Sequence, residues 1–230
     1  MAAFSKESSV SDPGWARGRT ARIARSVLQS LVLVPAVRFI SPIQLIHQDR
    51  LTALSGPVIF VANHQSHFDA PVVLAALGRR IRRRLVVAAA ADYFYRSKTV
   101  GGLASLALST VPFMREGGSS RTSLDLLKRL AGEGWSVLLF PSGTRGDQAL
   151  FKPGFAFVAV DARTSVVPLY LHGLQDTLPK GSKLPLPSGV IVAVGSAVAP
   201  GDDYEDLVRR TQAEHNTLRE DVMDRTEGWG

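Results

Sequence analysis

Six short apolar runs punctuate the chain, at residues 57–62, 85–90, 111–115, 136–140, 166–170 and 190–194. Runs of this length without polar alternation suit strands covered on both faces, as in parallel sheets. The stretches between them carry helical signals. Asp69-Ala70-Pro71 followed by Val72-Val73-Leu74 predicts a helix with Asp69 near its N-cap, Pro71 in its first turn and an end near Gly78. From Ser119 to Leu130 the leucines at 124, 127 and 130 mark one face, Thr122 and Asp125 echo a capping box, and Gly132 and Gly134 stop the helix. Ala156 to Val160 predicts a buried helix, and the charged tail from Asp202 to Arg225 an exposed one anchored by Leu207, Leu218 and Val222. Residues 176–189, with three prolines and two glycines, predict an irregular surface loop. This alternation predicts an α/β fold, a three-layer sandwich with a mixed, mostly parallel sheet, and leaves the order of strands open.

The N-terminal part has a different pattern. Residues 1–16 are small and polar, lack the basic-then-apolar order of a secretory signal, and predict a disordered tail. Arg17, Arg19, Arg22 and Arg25 then precede a Leu-, Val- and Ile-rich segment at 27–46 that is interrupted by Pro35, Arg38 and Pro42. A spanning helix wants about 20 apolar residues without such breaks. The segment therefore reads as one or two helices lying on or dipping into a bilayer with a basic flank toward anionic headgroups, or else as a helical hairpin packed on the domain's own core. The resulting division is a tail at 1–16, a basic and apolar interfacial helical motif at 17–50, and an α/β domain at 51–230.

Composition narrows the partners. A net charge of +7 calls for an anionic partner: a phospholipid surface, an acidic substrate or nucleic acid. Arg79-Arg80-Ile81-Arg82-Arg83-Arg84 concentrates that charge, yet it contains no aromatic side chain on which a base would stack, so a lipid-headgroup or structural role is expected and nucleic acid is not. The chain has no cysteine, which excludes thiolate catalysis, disulfides and Cys-ligated metals and fits a reducing compartment.

The chemistry concentrates where the first run ends, in Asn63-His64-Gln65-Ser66-His67-Phe68-Asp69. A carboxylate five residues from an imidazole can fix the ring's tautomer and leave its other nitrogen to take a proton from a bound hydroxyl. The same two residues also read as a polar loop histidine and a plain helix cap. Arg115 ends another strand, and Arg145 lies in the glycine-punctuated loop Pro141-Ser142-Gly143-Thr144-Arg145-Gly146; both suit bidentate phosphate binding. Ser142 lacks the G-x-S-x-G setting of a hydrolase nucleophile, since Phe140 stands in the first glycine's place. Tyr93-Phe94-Tyr95-Arg96, Lys98 and the small residues Gly101-Gly102-Leu103-Ala104 read either as the lining of an acyl channel or as ordinary packing.

Four segments in fixed order carry a family resemblance: Asn63-His64 through Asp69, Val111-Pro112-Phe113-Met114-Arg115, Phe140-Pro141-Ser142-Gly143-Thr144-Arg145, and Val166-Val167-Pro168-Leu169-Tyr170. Over roughly residues 55–175 the chain resembles the glycerolipid acyltransferase superfamily typified by 1-acylglycerol-3-phosphate acyltransferases. The resemblance implies transfer of a fatty acyl group from acyl-CoA or acyl carrier protein to a hydroxyl of a lysolipid in phospholipid biosynthesis, with His64 as general base and Asp69 orienting it. It further implies acceptor binding by Arg115, Ser142, Gly143, Thr144, Arg145 and Lys152, no cofactor or metal beyond the thioester co-substrate, and a peripheral or monotopic place on the cytoplasmic face of the cell membrane. Ser142 departs from the family's usual Glu, which implies an acceptor more anionic or bulkier near its free hydroxyl. A lipid hydrolase or thioesterase, or a non-catalytic basic lipid- or nucleic-acid-binding module, are the alternatives.

Overall fold

The computed structural model describes residues 12–66, 68–90, 98–114, 119–141, 150–177 and 187–227. Its centre is a seven-stranded sheet of β1 (Ile43–Ile46), β2 (Ile59–Ala62), β3 (Leu85–Ala90), β4 (Thr110–Phe113), β5 (Ser136–Leu139), β6 (Val166–His172) and β7 (Val190–Val194), in the order β1-β7-β6-β2-β5-β3-β4. From β6 across to β4 all neighbours are parallel; β7 runs antiparallel to β6, and β1 follows β7. The helices are α1 (Arg19–Ile40), α2 (Asp49–Ala53), α3 (Asp69–Ala76), α4 (Arg79–Arg82), α5 (Lys98–Leu108), α6 (Ser119–Gly132), α7 (Gly154–Asp161), α8 (Leu174–Thr177) and α9 (Tyr204–Glu227).

Strand periodicity divides the interior into two cores. Phe60 and Ala62 of β2, Leu138 of β5 and Leu169 of β6 pack with Val72 to Leu77 around α3 and with Val37 of α1. Ile59 and Val61, Val137 and Leu139 point the other way, onto Leu127 and Leu130 of α6, Phe155 and Val158 of α7, and Leu207 of α9. This is the expected three-layer sandwich, and each of the six anticipated strands is present. Pro168 is tolerated inside β6 because β7's ladder begins one residue later, at Leu169 and Val194, while Gly195 N–H donates to Pro168 O at 2.8 Å.

The N-terminal segment differs from the expectation of helix through residue 46. Pro42 cannot donate a helical hydrogen bond and Ser41 is extended at φ −132°, so the chain leaves the helix and Ile43–Ile46 pairs along β7, from Ile43 with Val190 to Ile46 with Ala193. Nor is there a hairpin: α1 runs unbroken past Pro35 because a π-helical turn at Gln29–Leu33, where Val34 N–H donates to Gln29 O, widens the preceding turn around the proline ring. The tail reading also stops early, since Asp12 binds Arg17 at 2.5 and 2.8 Å and Ala16 is buried.

The arginine run serves the fold. Arg80 donates to the carbonyls of Leu51 and Leu54 at 3.0 and 2.9 Å, closing the C-terminal end of α2, and buried Arg82 donates to Leu74 O at 3.2 Å.

Helix α9 is not an exposed helix with three anchors. Leu207, Thr211, His215, Leu218 and Val222 form one continuous buried stripe against the sheet and α7. Two polar residues inside that stripe masked its periodicity. His215 is 2% exposed, with its ring 4.8 Å from Phe151 and 5.5 Å from Tyr170, and neither ring nitrogen has a hydrogen-bond partner among the described residues. Burial, assisted by the charge of Arg219, lowers its pKa from 6.5 to about 4. The unfolded chain therefore binds the proton first as pH falls, and stability present above pH 6.5 drains away toward pH 4. We expect the unfolding free energy to drop by about 2 kcal/mol between pH 7 and pH 5 through this group alone, and His215→Leu to remove that portion in paired urea titrations. Identical pH dependence in the two proteins would refute the assignment.

Candidate active site

The polar knot at residues 63–69 forms where the β2–β6 ladder ends, at Ala62 opposite Leu169, and α3 begins, at Asp69. Asp69 is the first residue of α3 rather than its cap, and its carboxylate reaches back over the turn. Oδ2 accepts from His64 Nδ1 at 2.6 Å and from Gln65 N–H at 2.8 Å, and Oδ1 accepts from Ser66 N–H at 2.9 Å. Ser66 Oγ takes the Phe68 N–H at 3.2 Å, and Ser66 O takes that of Asp69 at 3.2 Å. At 1% exposure the Asp69 side chain is removed from water, and its charge is balanced by these three donors and by the positive end of the α3 dipole.

A carboxylate only accepts, so this short bond takes its proton from His64 Nδ1, and in the neutral ring the lone pair is then on Nε2. The imidazole is 17% exposed and leans on the ring of Phe140, centroid to centroid 5.2 Å. Phe140 follows β5, which pairs beside β2, and Lys152 N–H donates to Pro141 O at 3.2 Å, closing the neck of the loop between them. The base candidate thus stands at the root of the loop that carries Ser142, Gly143, Thr144 and Arg145.

Those four residues, and Arg115, lie outside the described residues, as do Tyr93, Phe94, Tyr95 and Arg96. Strand β4, which leads toward Arg115, ends at the same carboxyl edge of the parallel strands as β2, and the Met114 N–H beside it is held by Ser123 Oγ at 3.0 Å. Lys152 is exposed at the foot of the loop. The sequence reading missed Asn63 and Gln65, which flank His64 and are buried: Asn63 bonds both backbone groups of Leu171, and Gln65 Oε1 accepts the Leu174 N–H. An amide directly after four buried strand residues was the available signal.

Comparison with known proteins bears on the family and the fold. The chain is 33% identical over 147 residues to a chloroplastic 1-acyl-sn-glycerol-3-phosphate acyltransferase of Brassica napus, covering 59% of this chain and 38% of the relative. It is 27% identical over 191 residues to a 1-acyl-sn-glycerol-3-phosphate acyltransferase of Chlamydomonas reinhardtii, covering 81% of this chain and 55% of that one. The chain therefore spans between about two fifths and just over half of the length of these relatives. The crystal structure of the 1-acyl-sn-glycerophosphate acyltransferase from Thermotoga maritima superposes with a TM-score of 0.65 at 19% identity, over 90% of this chain and 82% of that one, and so shares its fold. Residues 42–172, more than half of the chain and inclusive of the whole His64–Asp69 turn, match the acyltransferase family, to which this protein belongs.

Proposed function

We propose that the protein moves a fatty acyl group from an acyl thioester, carried on coenzyme A or acyl carrier protein, to the free hydroxyl of a phosphate-bearing lysolipid of the 1-acylglycerol-3-phosphate class. The observation that carries this reading is the 2.6 Å bond from His64 Nδ1 to a buried carboxylate, which turns Nε2 into a base at the carboxyl edge of the sheet. The relatives' names support the acceptor class. His64 Nε2 takes the hydroxyl proton as the acceptor oxygen attacks the thioester carbonyl carbon. The tetrahedral oxyanion collapses, the carbon–sulfur bond breaks, and the leaving thiolate takes the proton from His64, yielding ester and free thiol. Asp69 holds the ring's tautomer and offsets the imidazolium charge. Arg115, Arg145 and Lys152 supply positive charge for the acceptor phosphate, while Ser142, Gly143 and Thr144 frame the acceptor. These steps call on no cofactor or metal.

The second part of the proposal is a berth on an anionic membrane, at the cytoplasmic face, with α1 in the interface. That helix is inverted with respect to an ordinary surface helix. Arg25 and Gln29 are buried against the protein, donating to Ala16 O at 2.9 Å and Ala107 O at 2.8 Å, whereas Ile23, Val27, Leu31, Val32 and Phe39 face outward, Phe39 at 88% exposure. Full transfer of an exposed side chain of this kind out of water is worth roughly 1.5–3 kcal/mol, and the half-exposed ones gain a corresponding fraction. The helix is long and apolar enough by composition to span a bilayer, but its polar side is stitched to α5, and Arg38 donates to Ala75 O of α3 at 3.3 Å, so it lies flat with one side in lipid.

Three outcomes are expected. His64→Ala stays folded and loses about 10²–10⁴ in turnover, and Asp69→Asn loses much of the same; retention of more than about a tenth of the rate would sink the mechanism, and free fatty acid as the main product would replace it with hydrolysis. Leu31→Glu with Phe39→Glu weakens binding to anionic vesicles roughly tenfold or more with an unchanged melting temperature, whereas equal sedimentation with vesicles would remove α1 from the membrane. Ser142→Glu shifts relative kcat/KM toward lysophosphatidate and away from headgroup-bearing lysophospholipids by about 1–2 kcal/mol in competition assays; an unchanged ratio means position 142 does not read the acceptor.

A further inference from the structure

We infer that Asn63 and Gln65 are positioning residues for His64: two side-chain amides that clamp the turn to the end of β6 and so aim the imidazole. The inference rests on the proposed role of His64 as base.

In the parallel ladder, Ala62 opposite Leu169 is the last main-chain pair of β2 and β6. Two residues farther along β6, Leu171 N–H and C=O also face β2, and the carboxamide of Asn63 meets both: Nδ2 donates to Leu171 O at 2.9 Å and Oδ1 accepts from Leu171 N–H at 2.8 Å. One donor and one acceptor in a single plane copy a peptide group. The side chain thus continues the β2–β6 pairing by one step in place of the main chain. On the far side of His64, Gln65 Oε1 accepts the Leu174 N–H at 3.2 Å while its own N–H is held by Asp69 Oδ2 at 2.8 Å. Gly173 lets β6 present both contact points, since it adopts φ +87° and a Cβ there would stand 2.6 Å from Gly189 O.

His64 is therefore pinned through its chain neighbours on both sides and through its ring by Asp69. Both polar atoms of the Asn63 amide are spent on Leu171 of β6 and Gln65 Oε1 on Leu174 just beyond it, and the two side chains are buried at 2% and 8% exposure. Their effect on the reaction is exerted through the imidazole, and misplacement of a reacting group by about 1 Å costs on the order of 10²-fold.

The test combines kinetics, melting and proton spectroscopy on the full chain. Asn63→Ala and Asn63→Asp are expected to lower kcat by about 30-fold or more with KM for thioester and acceptor within about threefold, and to shift or broaden the downfield Nδ1–H resonance of His64 in protein that remains folded at the assay temperature. Combined with His64→Ala, Asn63→Ala is expected to leave the residual rate unchanged, because no ring remains to be aimed. Should Asn63→Ala fail to fold, Gln65→Leu, which removes the hydrogen bond to the Leu174 N–H, decides the matter: a kcat fall of about fivefold or more in the His64 protein and none in the His64→Ala protein supports the clamp. Unchanged kcat, or an equal proportional fall in both backgrounds, overturns it and leaves the His64 mechanism standing. An active His64→Ala protein overturns both.

Discussion

A single buried charge organises the functional end of this molecule. The Asp69 carboxylate, at the first turn of α3, gathers one imidazole and two backbone N–H groups, and without it the 64–68 turn would leave two buried amide donors unpaired, at a cost of roughly 1–3 kcal/mol each. Ordering of the turn and orientation of the ring therefore come from the same oxygen atoms. The sheet supplies the other half of the constraint. Parallel β2, β5 and β6 end together, and their covered faces hold that edge rigid while its loops carry the polar residues.

Much of this was legible before the structure. Runs such as Ile59–Ala62 and Ser136–Leu139 are apolar on both strand faces, which is what burial between two helical layers demands. The turn was legible because three further segments in fixed order accompany the imidazole and carboxylate, a pair that alone also reads as a loop histidine and a helix cap. What escaped was non-local. Ile43–Ile46 is indistinguishable by composition from the end of an apolar helix, and only the open edge of β7 makes it a strand. Asn63 and Gln65 read as loop amides because their partners, Leu171 and Leu174, lie more than a hundred residues away. His215 and Thr211 broke the apolar stripe of α9 and made a buried helix look exposed.

The arginines show how little net charge says about individual side chains. Arg80 and Arg82 are engaged with backbone carbonyls around α2 and α3, and Arg25 with those of Ala16 and Ser105, so part of the +7 excess serves the ends of helices before any partner arrives. Charge available to an anionic surface resides in the exposed members, among them Arg19, Arg79 and Arg83.

The inverted face of α1 has a thermodynamic corollary. Its hydrogen bonds to the carbonyls of Ala16, Ser105 and Ala107 lie beneath the side chains that the proposal places in lipid. Hydrocarbon laid over that helix excludes water from the same contacts, and electrostatic attraction strengthens as the surrounding dielectric falls. Adhesion to the bilayer and cohesion between α1 and the domain are then linked functions: whatever free energy the surface adds to the grip, the grip returns to the surface, so that detergents or substitutions that loosen either one loosen both.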